Sequence, residues 1–171
     1  MGNVRSLRKN GDKLILGGCT YTIKDVEGCG GNSVVYHAIY NDNLNKELQH
    51  EVLIKELYPY HPRGGIYRDE NGNISYISEA EEYMQNCKIR FKQGNEINLR
   101  LLQTLPSQIS GNVNSYEAYG TYYSVLTVHG GRNLENVLET TDSLSLREAA
   151  KIMEKVLDAV EMCHENELLH R

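Results

Sequence analysis

An α+β fold is what this sequence predicts: antiparallel strands with an extra, inserted β-hairpin, one long helix and a C-terminal amphipathic helix. Three observations lead there. Runs of β-branched and aromatic residues, parted by glycine and asparagine turns, recur as far as Val128. A capping-type start at Ser78 opens a stretch of about 20 to 27 residues with no breaker stronger than Gly94. From Leu146 to Cys163 the apolar residues return every third and fourth position. With 171 residues and 40% hydrophobic content, the chain has material for one core rather than two domains.

Residues 1–12 are polar and read as a mobile leader. A first strand region spans 14–23, interrupted at Gly17-Gly18, and Ser33 to Tyr40 is a second run of strand-forming residues before the asparagine-rich turn at 41–45. Glu51 to Leu57 is a third strand, ended by Tyr58-Pro59-Tyr60-His61-Pro62. The segments 66–68 and 74–77 flank Asn71-Gly72, a dipeptide suited to a type I′ turn, and so predict a hairpin within about 64–77. Ser78 and Glu81 have the capping-box spacing. Beyond Pro106, the stretches 113–119 and 122–128 read as a further antiparallel pair. The last helix begins near 143–145 and carries Leu146, Ala149, Ala150, Met153, Val156, Leu157, Val160 and Cys163 on one face.

Composition excludes several functions. A net charge of −5 with scattered Lys and Arg gives no basic surface for nucleic acid or anionic lipid, and no apolar run reaches the length of a membrane span. Cys19, Cys29, Cys87 and Cys163 form no C-x-x-C pair, which speaks against zinc and for reduced thiols in a cytoplasmic protein. The Met1-Gly2…Ser6 pattern of N-myristoylation is short enough to arise by chance. Asp69 to Asn73 opens like a calcium loop, but Ile74 and Ala80 stand where glycine and glutamate belong, so no metal site is expected.

Gly28-Cys29-Gly30-Gly31-Asn32-Ser33 is a glycine-rich loop, in which missing side chains let backbone amides approach phosphate oxygens. The adjoining run from Ser33 to Tyr40 is strand-forming rather than helical, against a dinucleotide fingerprint, and no G-K-[ST] ending makes the loop a Walker motif. An ordinary hairpin turn is the alternative. In Val52-Leu53-Ile54-Lys55-Glu56-Leu57, alternation puts Leu53, Lys55 and Leu57 on one face and Val52, Ile54 and Glu56 on the other. An ammonium between two leucines either lies at a polar cleft or snorkels from a sheet edge.

Taken in order, Gly28-x-Gly30-x-x-Ser33-x-Val35, Val52-Leu53-Ile54-Lys55 and Leu157 to His164, continuing to Leu168-Leu169-His170-Arg171, resemble the protein kinase superfamily, of the eukaryotic-like Ser/Thr type. The resemblance implies an N-lobe-like five-stranded sheet with a C-helix over 13–131, and beyond it, at 132–171, the post-hinge segment and the start of the C-lobe. It implies ATP as the ligand. Gly28, Gly30, Gly31 and Ser33 would cover the phosphates, Val35 and Leu53 would meet the adenine, and Lys55 would contact the α and β phosphates. Glu96 would pair with Lys55, with Glu79, Glu81 and Glu82 as competitors. Leu126 would be the gatekeeper, and Thr127, Val128 and His129 would form the hinge.

This sequence departs from the pattern where kinases usually place alanine, since Leu53 narrows the adenine pocket. It also ends before the catalytic aspartate, the Mg²⁺-binding asparagine and the D-F-G segment. The resemblance therefore implies an ATP-binding lobe whose parent transfers the γ-phosphate to a protein hydroxyl, with Mg²⁺ held by C-lobe residues and the fragment alone inactive. The alternative is a pseudokinase-type binding module. The apolar face of the helix at 145–164 would self-associate.

Overall fold

The computed structural model describes residues 5–42, 45–61, 63–104, 111–128, 130, 133–141 and 143–166. In chain order they form β1 (Lys13–Leu16), β2 (Cys19–Cys29), β3 (Ser33–Asn41), β4 (Gln49–Leu57), β5 (Ile66–Arg68), β6 (Ile74–Tyr76), α1 (Glu81–Thr104), β7 (Asn112–Ala118), β8 (Thr121–Thr127), α2 (Leu134–Thr140) and α3 (Leu146–Glu165). One antiparallel sheet has the order β1-β2-β3-β4-β8-β7, and β5-β6 form a separate hairpin.

The sheet has six strands rather than five. The interrupted region 14–23 divides at Gly17 and Gly18, whose φ angles of 57° and 81° turn β1 back onto β2. A Cβ at Gly17 would lie 2.3 Å from the ring of Tyr116, so the turn also needs the missing side chain for its close approach.

Strand alternation gives the sheet two unlike faces. The first holds the core, with Leu14, Leu16, Tyr21, Ile23, Val34, Tyr36, Ala38, Val52, Ile54, Tyr123 and Val125 all buried. Glu56 sits on this face and is 0% exposed. The opposite face carries Val35, Leu53, Lys55, Ser124 and Leu126, and α1 lies against part of it.

The hairpin at Asn71-Gly72 is wider than a type I′ turn. Gly72 alone has positive φ, 81°, and the Asp69 carboxylate holds the loop by accepting from the amides of Asn71 (2.9 Å) and Asn73 (2.8 Å). The type I′ conformation instead occurs at Tyr119 (φ 49°) and Gly120 (φ 71°) between β7 and β8. There the Ile74 amide donates to the Tyr119 carbonyl at 2.8 Å, seating the inserted hairpin on that turn.

Residues 5–12, expected to be a mobile leader, are docked. Arg8 is 8% exposed, Arg5 donates to the Tyr58 carbonyl at 2.7 Å, and the Ser6 carbonyl accepts from Arg68 at 2.9 Å. The capping box expected at Ser78 does not form, because Ser78–Ala80 make a 3₁₀ turn ahead of α1 and Ile77 precedes it without a side-chain cap. A capping box does form at α3, where Ser145 and Glu148 satisfy each other's amides. Neither α2 nor α3 has a buried residue.

Candidate functional site: the face of the sheet around Lys55

The glycine loop closes tightly between β2 and β3, with the Gly30 amide donating to the Ser33 carbonyl at 2.9 Å. Its carbonyls are tied down from the other side: Tyr58 N–H donates to Asn32 (3.1 Å) and Tyr60 N–H to Gly31 (2.7 Å). None of Gly28, Gly30 and Gly31 has positive φ, and a Cβ on any of them would meet nothing closer than 3.7 Å. The fold itself makes no demand for glycine there. What the glycines provide is open space above the backbone.

Register then sets the neighbours. Val35 lies opposite Lys55 and His37 opposite Leu53 across β3 and β4, while Lys55 faces Ser124 and Leu53 faces Leu126 across β4 and β8. Opposed residues of an antiparallel pair share a face, so Val35, Leu53, Lys55, Ser124 and Leu126 form one continuous surface leading away from the loop.

Two cavities open on this surface, and Lys55 lines both. One of about 180 Å³ includes Asn32, Ser33 and Leu57; the other, of about 360 Å³, includes Ser124 and Leu126. The wall opposite the sheet is α1, which contributes Arg90 and Phe91 to both. The Lys55 ammonium stands 5.9 Å from the centroid of the Phe91 ring, a cation–π contact.

Glu96 is not brought to Lys55. It is exposed and lines neither cavity, because α1 turns Phe91, Gly94, Asn95 and Asn98 toward the lysine, and Glu96 lies about 100° around the helix from Asn95. Glu79, Glu81 and Glu82 are exposed as well. In place of a carboxylate the helix offers an amide, and Asn95 Oδ1 accepts from the Ser124 hydroxyl at 2.7 Å. Arg90, Phe91 and Asn95 line the candidate site and are not among the site residues expected from the sequence; the signal that could have found them is their spacing along one side of the helix, which a preference for an acidic partner hides.

Of the expected hinge, Thr127 and Val128 line a separate cavity of about 430 Å³ on the core face, with Tyr21, Tyr40 and Tyr116. The Thr127 amide is already engaged, donating to Gly111 at 3.0 Å. His129 lies outside the described residues, as does the run 168–171. Among the described residues no group of His, Cys, Asp and Glu could hold a metal, and no helix is long and apolar enough to cross a membrane.

No family model and no curated protein matches this chain. Solved structures do. Along 98% of its length the chain superposes, with a TM-score of 0.73 and 21% identity, on 55% of a bacterial PpkA kinase domain solved in its apo form, PpkA-294. This chain has a protein kinase-like fold. Vaccinia related kinase 3 is also similar, with 19% identity, a TM-score of 0.48, and coverage of 95% of this chain and 44% of the other. The chain thus spans about half the length of these kinase structures. The curled antiparallel sheet with α1 is the kinase N-lobe-like part of that fold.

Proposed function

We propose that this kinase-like domain binds ATP across the Lys55 face of its sheet, and that the whole protein to which such a lobe belongs transfers the γ-phosphate to a serine or threonine hydroxyl of a protein substrate. One observation carries the reading: Val35, Leu53, Lys55 and Leu126 share a single surface beside a loop whose glycines answer no internal steric demand. The adenine would lie on Val35 and Leu53 near Leu126. Amides of Gly28, Gly30, Gly31 and Ser33 would meet the phosphates, with the Lys55 ammonium neutralising their oxygens. Magnesium would supply further charge neutralisation, held by residues of the C-lobe.

Equilibrium titration with ATP tests this. Lys55→Met is expected to weaken binding at least tenfold while leaving the circular dichroism spectrum unchanged; equal affinity in both proteins contradicts the reading.

A second reading is favoured by two specific features. Leu53 narrows the adenine position, and α1 offers Lys55 an aromatic ring and an amide where a catalytic kinase uses a carboxylate. Both suit a non-catalytic, pseudokinase-type module, for which ATP titration would give no heat.

The same proposal includes self-association. It is supported by the exposed apolar face of α3, on which Leu146 (87%), Met153 (52%), Val156 (46%) and Leu157 (59%) all meet solvent. A cytoplasmic location fits the four free thiols of Cys19, Cys29, Cys87 and Cys163.

A further inference from the structure

Lys55 and Arg90 look into the same space. Both line the two adjoining cavities between α1 and the sheet, one reaching to Asn32 and Ser33 of the glycine loop and the other to Ser124 and Leu126. Among the described residues, no carboxylate lines either cavity and neither cation takes part in an ion pair. Lys55 is half-buried between Leu53 and Leu57, with its ammonium 5.9 Å from the centroid of the Phe91 ring.

Two positive groups facing one partly desolvated space repel each other, and the repulsion grows as water is excluded. A polyanion entering from the glycine loop relieves it. The rest of the wall suits the same guest. Asn95 gives its carbonyl oxygen to Ser124, which leaves the amide N–H donors of that side chain for a ligand. At Gly94 an added Cβ would meet nothing within 4 Å, so the helix leaves the cavity unobstructed.

We propose that Arg90 is a second phosphate-binding cation, and that Lys55 and Arg90 together hold a triphosphate chain without requiring a divalent metal. This inference rests on the nucleotide reading above. A lysine paired with a glutamate contributes no net charge and leaves neutralisation to Mg²⁺. Lys55 with Arg90, and no facing carboxylate among the described residues, contributes two positive charges, and the guanidinium can engage a phosphate through two parallel N–H donors.

The test is calorimetric titration of the whole chain with ATP in EDTA, with ATP in excess Mg²⁺, and with inorganic triphosphate in EDTA. Wild-type protein is expected to bind ATP in EDTA at least as tightly as in Mg²⁺, and to bind triphosphate. Arg90→Gln should weaken both metal-free interactions about tenfold, and Arg90→Glu should abolish them. Arg90 is exposed, so both variants should keep the wild-type circular dichroism spectrum. If ATP binding depends on Lys55 but is unchanged in both Arg90 variants, or appears only with Mg²⁺, the inference fails and the nucleotide reading stands. If neither ATP nor triphosphate binds the wild type under any condition, both fail.

Discussion

Arg68, on the inserted hairpin, grips Glu56 of β4 with both ends of its guanidinium, Nη1 to Oε1 at 3.1 Å and Nη2 to Oε2 at 2.5 Å. Glu56 is fully buried, yet it comes directly after Lys55 in the chain and points to the other side of the same strand. Arg8 lies 3.5 Å from the carboxylate, and the hydroxyls of Tyr36 (3.0 Å) and Tyr123 (2.6 Å) donate to it. One buried carboxylate thus fastens the N-terminal segment, the hairpin and three strands of the sheet beneath the lysine.

Removing that charge strands two arginines. Glu56→Gln keeps the shape but leaves Arg8 and Arg68 buried without an anion, which should cost about 3–5 kcal/mol. Urea unfolding followed by circular dichroism measures it; a midpoint equal to that of the wild type contradicts the network's role.

The same cluster should make the domain sensitive to alkali. Burial, reinforced by the charge of Glu56, raises the pKa of Tyr36 and of Tyr123 above that of a free tyrosine. The unfolded chain therefore loses these protons first, so the stability they contribute is complete below about pH 10 and declines as pH rises toward the folded-state values. Thermal melts from about pH 9 to about pH 12 should show a falling midpoint, and Tyr123→Phe should flatten the slope. An unchanged slope in that variant contradicts the linkage.

Much of this arrangement is legible in the sequence, and what is not has definite physical causes. The two-residue period of β4 separates Lys55 from Glu56 correctly, because alternation is a local property of the backbone. It does not announce Arg8 or Arg68 as partners, since those contacts join residues 48 and 12 positions away and depend on how the hairpin folds back. The leader reads as mobile for the same reason: its polarity is that of a free tail, and Arg8 docks on Glu56, Gly72, Tyr119 and Tyr123, partners that lie far along the chain. On α1, helix existence comes from composition, but which residue faces Lys55 depends on a rotation of the helix that no local signal fixes, and Glu96 lies on the wrong side.

Gly120 is a test of how the hairpin is seated. Its φ is 71°, and an added Cβ would lie 2.4 Å from the carbonyl oxygen of Ile74. Gly120→Ala should therefore destabilise the domain by at least about 1–3 kcal/mol through backbone strain and displacement of β6. Differential scanning calorimetry reads this directly, and a gain in stability would overturn the packing described.

If the apolar face of α3 joins two copies, sedimentation equilibrium should show a concentration-dependent mass. Leu157→Glu should then return the protein to monomer without loss of helix, since Leu157 is 59% exposed in the single chain. A wild-type monomer at every concentration contradicts self-association.

The central claim is that triphosphate binds on the Lys55 face, and amide chemical-shift mapping on the isotopically labelled chain tests it most directly. Titration with ATP should move the amides of Gly28, Gly30, Gly31, Ser33, Val35 and Lys55, together with those of Ser124 and Leu126, and leave Tyr21, Tyr40 and Tyr116 unmoved. Shifts confined to the cavity lined by those tyrosines, or no shifts at saturating ATP, would contradict it.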